Sequence, residues 1–304
     1  MITFKKPLVL LAMVALLSCG SDDDDGNPGG GGGGGDDTDL NSLPDDTGGT
    51  HTPVQKGTTG AEFGYYVYTP GNLDDSKSYP LLIFLHGKSE RGNGTTDLNK
   101  VLANGPPKII NSNVNTWKAM VPHPMIVASP QYHPADGAGA DNNWGEYHTE
   151  ELKGFIDHML ENYPINPKRI YLTGLSHGGT GLIDYIILGP GAGDHVAAAV
   201  PIAAYGYGGS INYPNAKNIP IWMFVGGGDT SGANNLTSCQ GFYNKYNAQT
   251  PAPAHDARLT IYPGAPHDVW TRTYSLSGMS ETTDAAYDDF DMNIYEWMLQ
   301  YKTN

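Results

Sequence analysis

The chain has 304 residues, with 32 Asp and Glu against 17 Lys and Arg and a formal charge of −15. Such an acidic balance argues against nucleic acid or an anionic membrane surface as a partner and suits neutral polymers or neutral esters. The length fits one large α/β domain with a sizeable core, and two cysteines, Cys19 and Cys239, offer no disulfide framework.

The first segment, residues 1–18, reads as an address. Lys5-Lys6 precede the apolar run Leu8 to Leu17, too short to span a bilayer. It ends in Leu16-Leu17-Ser18-Cys19, which resembles the lipobox of bacterial lipoproteins and implies cleavage before Cys19 and lipidation of its thiol. Membrane contact would then be through that N-terminal lipid only. The acidic run Ser21 to Asp25 resembles the tag that sends some Gram-negative lipoproteins to the cell surface, which implies an outer-membrane location. Residues 19–56 are rich in Gly, Asp, Thr and Pro, with a glycine run from Gly29 to Gly35, and read as a tether. Thirty-odd residues of that composition reach roughly 30 Å. The folded body is expected at 57–304.

Within that body, Glu62 to Thr69 alternates like a half-exposed strand and Leu81 to Leu85 reads as a buried one. Met125 to Ser129 is a further short apolar run. Thr149 to Tyr163 places Leu152, Phe155, Ile156, Met159 and Leu160 on one helical face, and Pro164 ends it. Arg169 to Thr173 is a strand and His177 to Leu188 a helix. Strands at Val196–Ala203, Ile219–Val225 and Arg258–Tyr262 follow, with helices over Ala233–Ala248 and Asp284–Gln300. Strands alternating with helices predict an α/β architecture, a mostly parallel sheet with helices on both faces. Its site then lies at the carboxyl ends of the strands.

Gly174-Leu175-Ser176-His177-Gly178 sits between predicted strand and predicted helix. A Gly-x-Ser-x-Gly turn in that context lifts a serine hydroxyl above the sheet as a nucleophile, as in α/β-hydrolases. A serine needs an imidazole to take its proton, and the imidazole needs a carboxylate to set its tautomer. The order in that fold is serine, acid, histidine. Asp229 follows the buried run Ile219 to Val225, and His267 follows the strand Arg258 to Tyr262. Asp194, Asp256 and Asp268 compete for the acid, but Asp268 adjoins the histidine and only Asp229 follows a buried strand at once; His195 and His255 compete for the base, and neither is at a strand's carboxyl end. The oxyanion hole needs two backbone N–H groups. His177 supplies one as the residue after the nucleophile, and Lys88 the other from the loop after Leu85. His86 is read as bonding backbone within that loop.

The segments Pro80 to Gly92, Asn104-Gly105-Pro106-Pro107-Lys108 and Arg169 to Gly179 look like the secreted esterase group. That group holds polyhydroxybutyrate-depolymerase-like enzymes and the feruloyl and acetylxylan esterases of carbohydrate esterase family one. The resemblance covers roughly Glu62 to Tyr301. It implies an α/β-hydrolase fold, ester cleavage without metal or cofactor, and the triad Ser176, Asp229 and His267. The chain departs from the group's pattern at His177, where methionine or glutamine is common, and at Val225 to Asp229, which replaces a histidine-glycine opening.

Loop aromatics bear on substrate. Tyr132, Trp144, Tyr147, Tyr205, Tyr207, Tyr213 and Trp270 fall at predicted strand ends, with Trp144 and Trp270 the chosen substrate contacts. His133 and His148 lie near acids but lack paired ligand spacing, so no metal is expected. Cys239, without basic neighbours, is read as packing. The expectation is a lipid-anchored serine esterase that acts on ester-bearing polysaccharide. Polyester or peptide cleavage, and a non-catalytic glycan-binding surface protein, are the alternatives.

Overall fold

The computed structural model describes residues 38–133, 144, 148–205, 216–231 and 235–304. The leader, the lipidation cysteine Cys19, and Tyr147, Tyr207 and Tyr213 lie outside the described residues.

Chain order is β1 (Thr50–Val54), β2 (Gly64–Thr69), β3 (Tyr79–Leu85), α1 (Gly105–Ser112), α2 (Val114–Met120) and β4 (Ile126–Gln131). Then come α3 (Thr149–Asn162), β5 (Ile165–Leu175), α4 (His177–Leu188), α5 (Ala192–His195), β6 (Val196–Ile202) and β7 (Trp222–Gly226). The last elements are α6 (Asn235–Asn247), β8 (Arg258–Tyr262), α7 (Trp270–Tyr274) and α8 (Ile294–Leu299). The strands form a single sheet ordered β1-β2-β4-β3-β5-β6-β7-β8. Strands β1, β2 and β4 pair antiparallel, and β4 through β8 are parallel, with Leu82 opposite both Val127 and Tyr171 and Phe224 opposite Thr260.

Every residue of β3 is buried because helices cover both sides. The pleat sends alternate side chains to different cores. Leu81, Ile83 and Leu85 join Phe155 of α3, Leu182 of α4 and Phe242 of α6. Leu82 and Phe84 join Ile110 of α1, Trp117 of α2, Tyr274 of α7 and Trp297 of α8. The fold is thus the expected α/β-hydrolase class. The chain leaves β3 for β4 on one side and returns to β5 on the other, so the sheet's switch point opens between the carboxyl ends of β3 and β5.

Two expectations are corrected. The folded body does not begin at residue 57, because β1 pairs residue by residue with β2 from Thr50–Thr69 to Val54–Tyr65. Upstream of β1, Leu43 is buried, and the Asp46 carboxylate accepts the Tyr68 hydroxyl at 2.5 Å and the Gly71 N–H at 2.8 Å. The ordered body therefore reaches upstream of residue 57 at least to Thr38, whose hydroxyl lies 2.9 Å from that of Ser78. The second correction is the last helix, which occupies only Ile294–Leu299. Residues 284–293 instead run along the free edge of β8, where Asp284 N–H donates to Ile261 O and Asp288 N–H to Leu259 O, both at 2.9 Å. Covering that edge removes a template for unwanted strand pairing.

Candidate active site

Ser176 stands between β5 and α4 with φ 52° and ψ −118°, a conformation that residues with side chains rarely adopt. Its N–H donates to Ile202 O at 2.8 Å, which fixes the turn against β6. The flanking glycines are required by space. A Cβ on Gly174 would lie 2.6 Å from Gly178 carbonyl atoms, and one on Gly178 would lie 2.0 Å from Leu85 O. The second contact also shows that the nucleophile turn packs on the end of β3. His177 opens α4, so its N–H belongs to the first turn, whose amides lack helical acceptors.

Asp229 lies just past β7 and His267 in the loop after β8. The run Gly226 to Gly228 brings these loops together: Gly227 N–H donates to Tyr262 O at 2.8 Å and Gly228 N–H to Ala265 O at 2.9 Å. A Cβ on Gly226 would lie 2.3 Å from Ala265 O, so bare backbone is needed there. This close approach accounts for the unusual opening of the acid loop. The result is a chain of three side chains. His267 Nε2 is 2.9 Å from Ser176 Oγ, and His267 Nδ1 is 2.7 Å from Asp229 Oδ2. A carboxylate only accepts, so the proton between them sits on Nδ1 and Nε2 is left to accept from the serine.

The Asp229 side chain is fully buried. Burial pushes its carboxyl up, but hydrogen bonds from His267, Ser231 N–H and Asn235 outweigh it and hold the group below the usual carboxylate range. Asn235, at the start of α6, was not singled out by its sequence. It is wholly buried, and its Nδ2 donates to Asp229 Oδ2 at 2.9 Å. Only the fold brings it to the acid, six residues away in sequence.

His86 and Lys88 follow β3. Burial pushes the His86 imidazole down to about 4, so the ring is neutral. Its Nδ1–H donates to Gly87 O at 2.7 Å, and its Nε2 accepts the Tyr132 N–H at 2.9 Å. This is the structural role expected of it. A Cβ on Gly87 would lie 2.7 Å from Leu175 Cδ1, so the backbone leading into Lys88 runs beside the nucleophile turn. The Lys88 side chain points to solvent. The His177 ring lies edge-on to Tyr205, with centroids 5.9 Å apart. Burial, aided by the charges of Lys88 and Arg91, pushes it down to about 4.

The two tryptophans part company. Trp270 is half-buried and meets the His267 ring edge-on at 5.1 Å, which places it at the site. Trp144 is corrected: it is 3 % exposed, packed against Phe63, His86 and Tyr132, and its Nε1–H donates to His86 O at 3.1 Å. It props the loop from beneath and offers no face to a substrate. Tyr132 is buried likewise. Cys239 is a packing residue, with Sγ 3.0 Å from Ala204 O and a thiol pushed up to about 12 by burial. His148 pairs with Glu151 at 2.7 Å, and no group of three or more metal-ligating side chains occurs among the described residues.

A model of the Esterase family matches residues 57–282. A bifunctional acetylxylan esterase/xylanase of Neocallimastix patriciarum is 27% identical over 207 residues, covering 67% of this chain and 26% of that protein. The chain thus spans about a quarter of that relative's length. A solved thermostable esterase is 24% identical with a TM-score of 0.54, over 84% of this chain and 63% of the other. A feruloyl esterase module from Clostridium thermocellum complexed with sinapinate has 15% identity and a TM-score of 0.52, over 80% and 89%. Dipeptidyl peptidase 4 of Porphyromonas gingivalis reaches 0.53 at 13% identity, over 83% of this chain and 35% of its own. These structural likenesses are of fold, and the fold by itself does not select ester over peptide.

Proposed function

We infer, from the premise that this chain belongs to the Esterase family and is a carboxylic ester hydrolase, that it removes acetyl or feruloyl groups from plant cell-wall polysaccharide through Ser176, His267 and Asp229. The observation that carries the triad is the unbroken hydrogen-bond chain, 2.9 Å from Ser176 Oγ to His267 Nε2 and 2.7 Å from His267 Nδ1 to Asp229. His267 takes the serine proton as Oγ attacks the ester carbonyl. Asp229 stabilises the imidazolium, and the N–H groups of Lys88 and His177 hold the oxyanion. The imidazolium then protonates the departing sugar oxygen. Water, activated by the same histidine, releases the acid from the acyl-enzyme. The acyl preference rests on likeness to the acetylxylan esterase/xylanase and, more distantly, to the feruloyl esterase module.

The test is turnover of p-nitrophenyl acetate, methyl ferulate, acetylated xylan and polyhydroxybutyrate by the full chain and by Ser176→Ala. Ester release that disappears in Ser176→Ala supports the triad. Release that survives it removes Ser176 as nucleophile, and turnover of polyhydroxybutyrate alone moves the substrate to polyesters. Glycan binding without turnover would support the non-catalytic alternative.

The same proposal holds Cys19 to carry a lipid that tethers the body to the outer membrane. The supporting feature is the Leu16-Leu17-Ser18-Cys19 motif with the acidic run after it. Cys19→Ala should move the protein from the detergent to the aqueous phase on Triton X-114 partition. Protease treatment of intact cells tests surface exposure.

A further inference from the structure

We propose that Glu90, Asn104 and Trp270 form a strut that locks the oxyanion-side loop to the histidine loop, making all three positioning residues for catalysis. The inference rests on the triad and oxyanion assignments above. Glu90 closes the 3-10 turn that begins at Lys88 and is only 2 % exposed. A carboxylate so buried needs donors. Asn104 Nδ2–H supplies one to Oε1, and the Ser89 hydroxyl supplies one to Oε2 at 3.2 Å. On its other side, Asn104 Oδ1 accepts Trp270 Nε1–H at 3.3 Å. Trp270 in turn stands edge-on to His267, with an interplanar angle of 87°.

The strut has one possible polarity. A carboxylate can only accept and an indole can only donate, so the Asn104 amide is held in a single orientation between them. Both ends are anchored. Gln131, at the end of β4, donates to Glu90 O at 2.9 Å while its Oε1 accepts the Gly94 N–H at 2.9 Å. Trp270 begins α7, whose Tyr274 is wholly buried against Phe84 of β3.

The need for such a brace follows from the chemistry. The Lys88 N–H must meet the oxyanion while His267 Nε2 moves the proton of the attacking serine in the same step, yet they come from loops after β3 and β8, four strands apart in the sheet. Asp229 holds His267 from the Nδ1 side, and the imidazole remains 24% exposed. Ser176 and Asn235 also touch the ring nitrogens, at 2.9 and 3.1 Å, but Trp270 is the aromatic neighbour that packs on the ring itself, and the strut sets where it stands relative to Lys88. A misplacement of about 1 Å in such a pair costs on the order of 100-fold in rate.

The experiment measures kcat and KM on p-nitrophenyl acetate, an ester too small to need Trp270 as a wall. The variants are Trp270→Phe, Glu90→Gln and the double variant, with thermal melting alongside. Ser176→Ala and His267→Ala serve as controls. Trp270→Phe keeps an aromatic six-membered ring but removes the pyrrole ring with its N–H donor, and so carries the test even where Glu90→Gln does not fold; Asn104→Leu, which removes the acceptor and leaves the indole whole, is measured beside it. The expected result is a fall in kcat of about tenfold in each single variant, KM within about twofold, and a double variant no slower than the worse single. The downfield proton resonance of His267 Nδ1–H should broaden in the single variants. Parent-like kcat in Trp270→Phe overturns the strut, as do additive losses or a rise in KM alone, which would make Trp270 a substrate wall. If His267→Ala retains the parent rate, the triad reading fails first. If His267→Ala is dead and Trp270→Phe is normal, only the strut fails.

Discussion

Asp229→Asn tests the carboxylate at the base of the proposed triad, and the structure sets its cost whichever way the amide turns. In the parent, Oδ1 accepts one donor, Ser231 N–H at 2.9 Å. Oδ2 accepts two, His267 Nδ1–H at 2.7 Å and Asn235 Nδ2–H at 2.9 Å. An asparagine has one oxygen for these two sides. If its NH2 faces His267, two donors oppose, and the imidazole must move its proton to Nε2. It can then no longer accept from Ser176, a change worth about 10⁴ in kcat. If the oxygen faces His267, the tautomer survives but the Ser231 amide is orphaned, at about 1–3 kcal/mol of stability. The imidazolium also loses its counter-charge. At an effective dielectric near 20 and about 4 Å, that attraction is about 4 kcal/mol, or roughly 10³ in rate. Both orientations therefore predict a loss of 10³–10⁴, on the order of the figures just given, in kcat/KM for p-nitrophenyl acetate. Either orientation leaves a donor without its acceptor, Asn235 Nδ2–H in the first and Ser231 N–H in the second, so urea unfolding should show a loss of stability of about 1–3 kcal/mol beside the loss of rate. A folded Asp229→Asn enzyme within about tenfold of the parent rate would refute the reasoning and move the acid elsewhere.

Three further outcomes follow from the same geometry. Gly178→Ala would place a Cβ 2.0 Å from Leu85 O and 2.5 Å from His86 O. Backbone cannot yield that far, so stability should fall by about 3 kcal/mol or more, read as a Tm lower by roughly 10 °C together with lost turnover. Trp144→Phe deletes the hydrogen bond to His86 O and leaves the volume of the pyrrole ring empty in the core, and should cost about 2–4 kcal/mol with KM for aromatic and acetyl esters unchanged. A rise in KM confined to feruloyl esters would restore Trp144 as a substrate contact. Stability should also fall with acidification, because buried His86 titrates near 4 against 6.5 in the unfolded chain. Between these values the unfolded chain binds more protons, so His86 contributes a loss of about 2 kcal/mol on going from pH 7 to pH 5. The depressed Asp229 carboxyl adds its own loss only at lower pH, as it is protonated. Urea midpoints at the two pH values check this, and a flat profile would count against a neutral, buried His86.

What was legible in the sequence is what the backbone itself requires. Gly174 and Gly178 mark the turn because any side chain there would collide with main chain. The bounds of α4 and β8 match their predicted spans because apolar periodicity decides them. Asp229 and His267 were recoverable as the first acid and histidine after successive buried strands. The segment before β1 was not. Its Gly- and Asp-rich composition carries the signature of a tether, while its order comes from Asp46 reaching Tyr68 and Gly71, 22 and 25 residues away. Asn235 and the link from Glu90 to Asn104 are of the same kind, polar contacts with no periodicity to announce them.

Trp144 and Trp270 show where that boundary falls for substrate recognition. In the sequence both follow a predicted strand and lead into a helical stretch, Trp144 ahead of α3 and Trp270 as the first residue of α7. Their fates are set by distant partners. Gly181 of α4 has no side chain, and a Cβ there would lie 2.0 Å from Trp144 Cβ, so that gap admits the Trp144 ring into the core. Trp270 meets Asn104, 166 positions away, which holds the indole upright beside His267. The candidate catalytic parts are thus written locally, as turns and strand ends, whereas the side chains that brace them are written in pairs of residues far apart. A change of acyl preference is therefore to be sought at contacts such as Tyr205 against His177, with Ser176, His267, Asp229 and the Asn104–Trp270 pair left untouched.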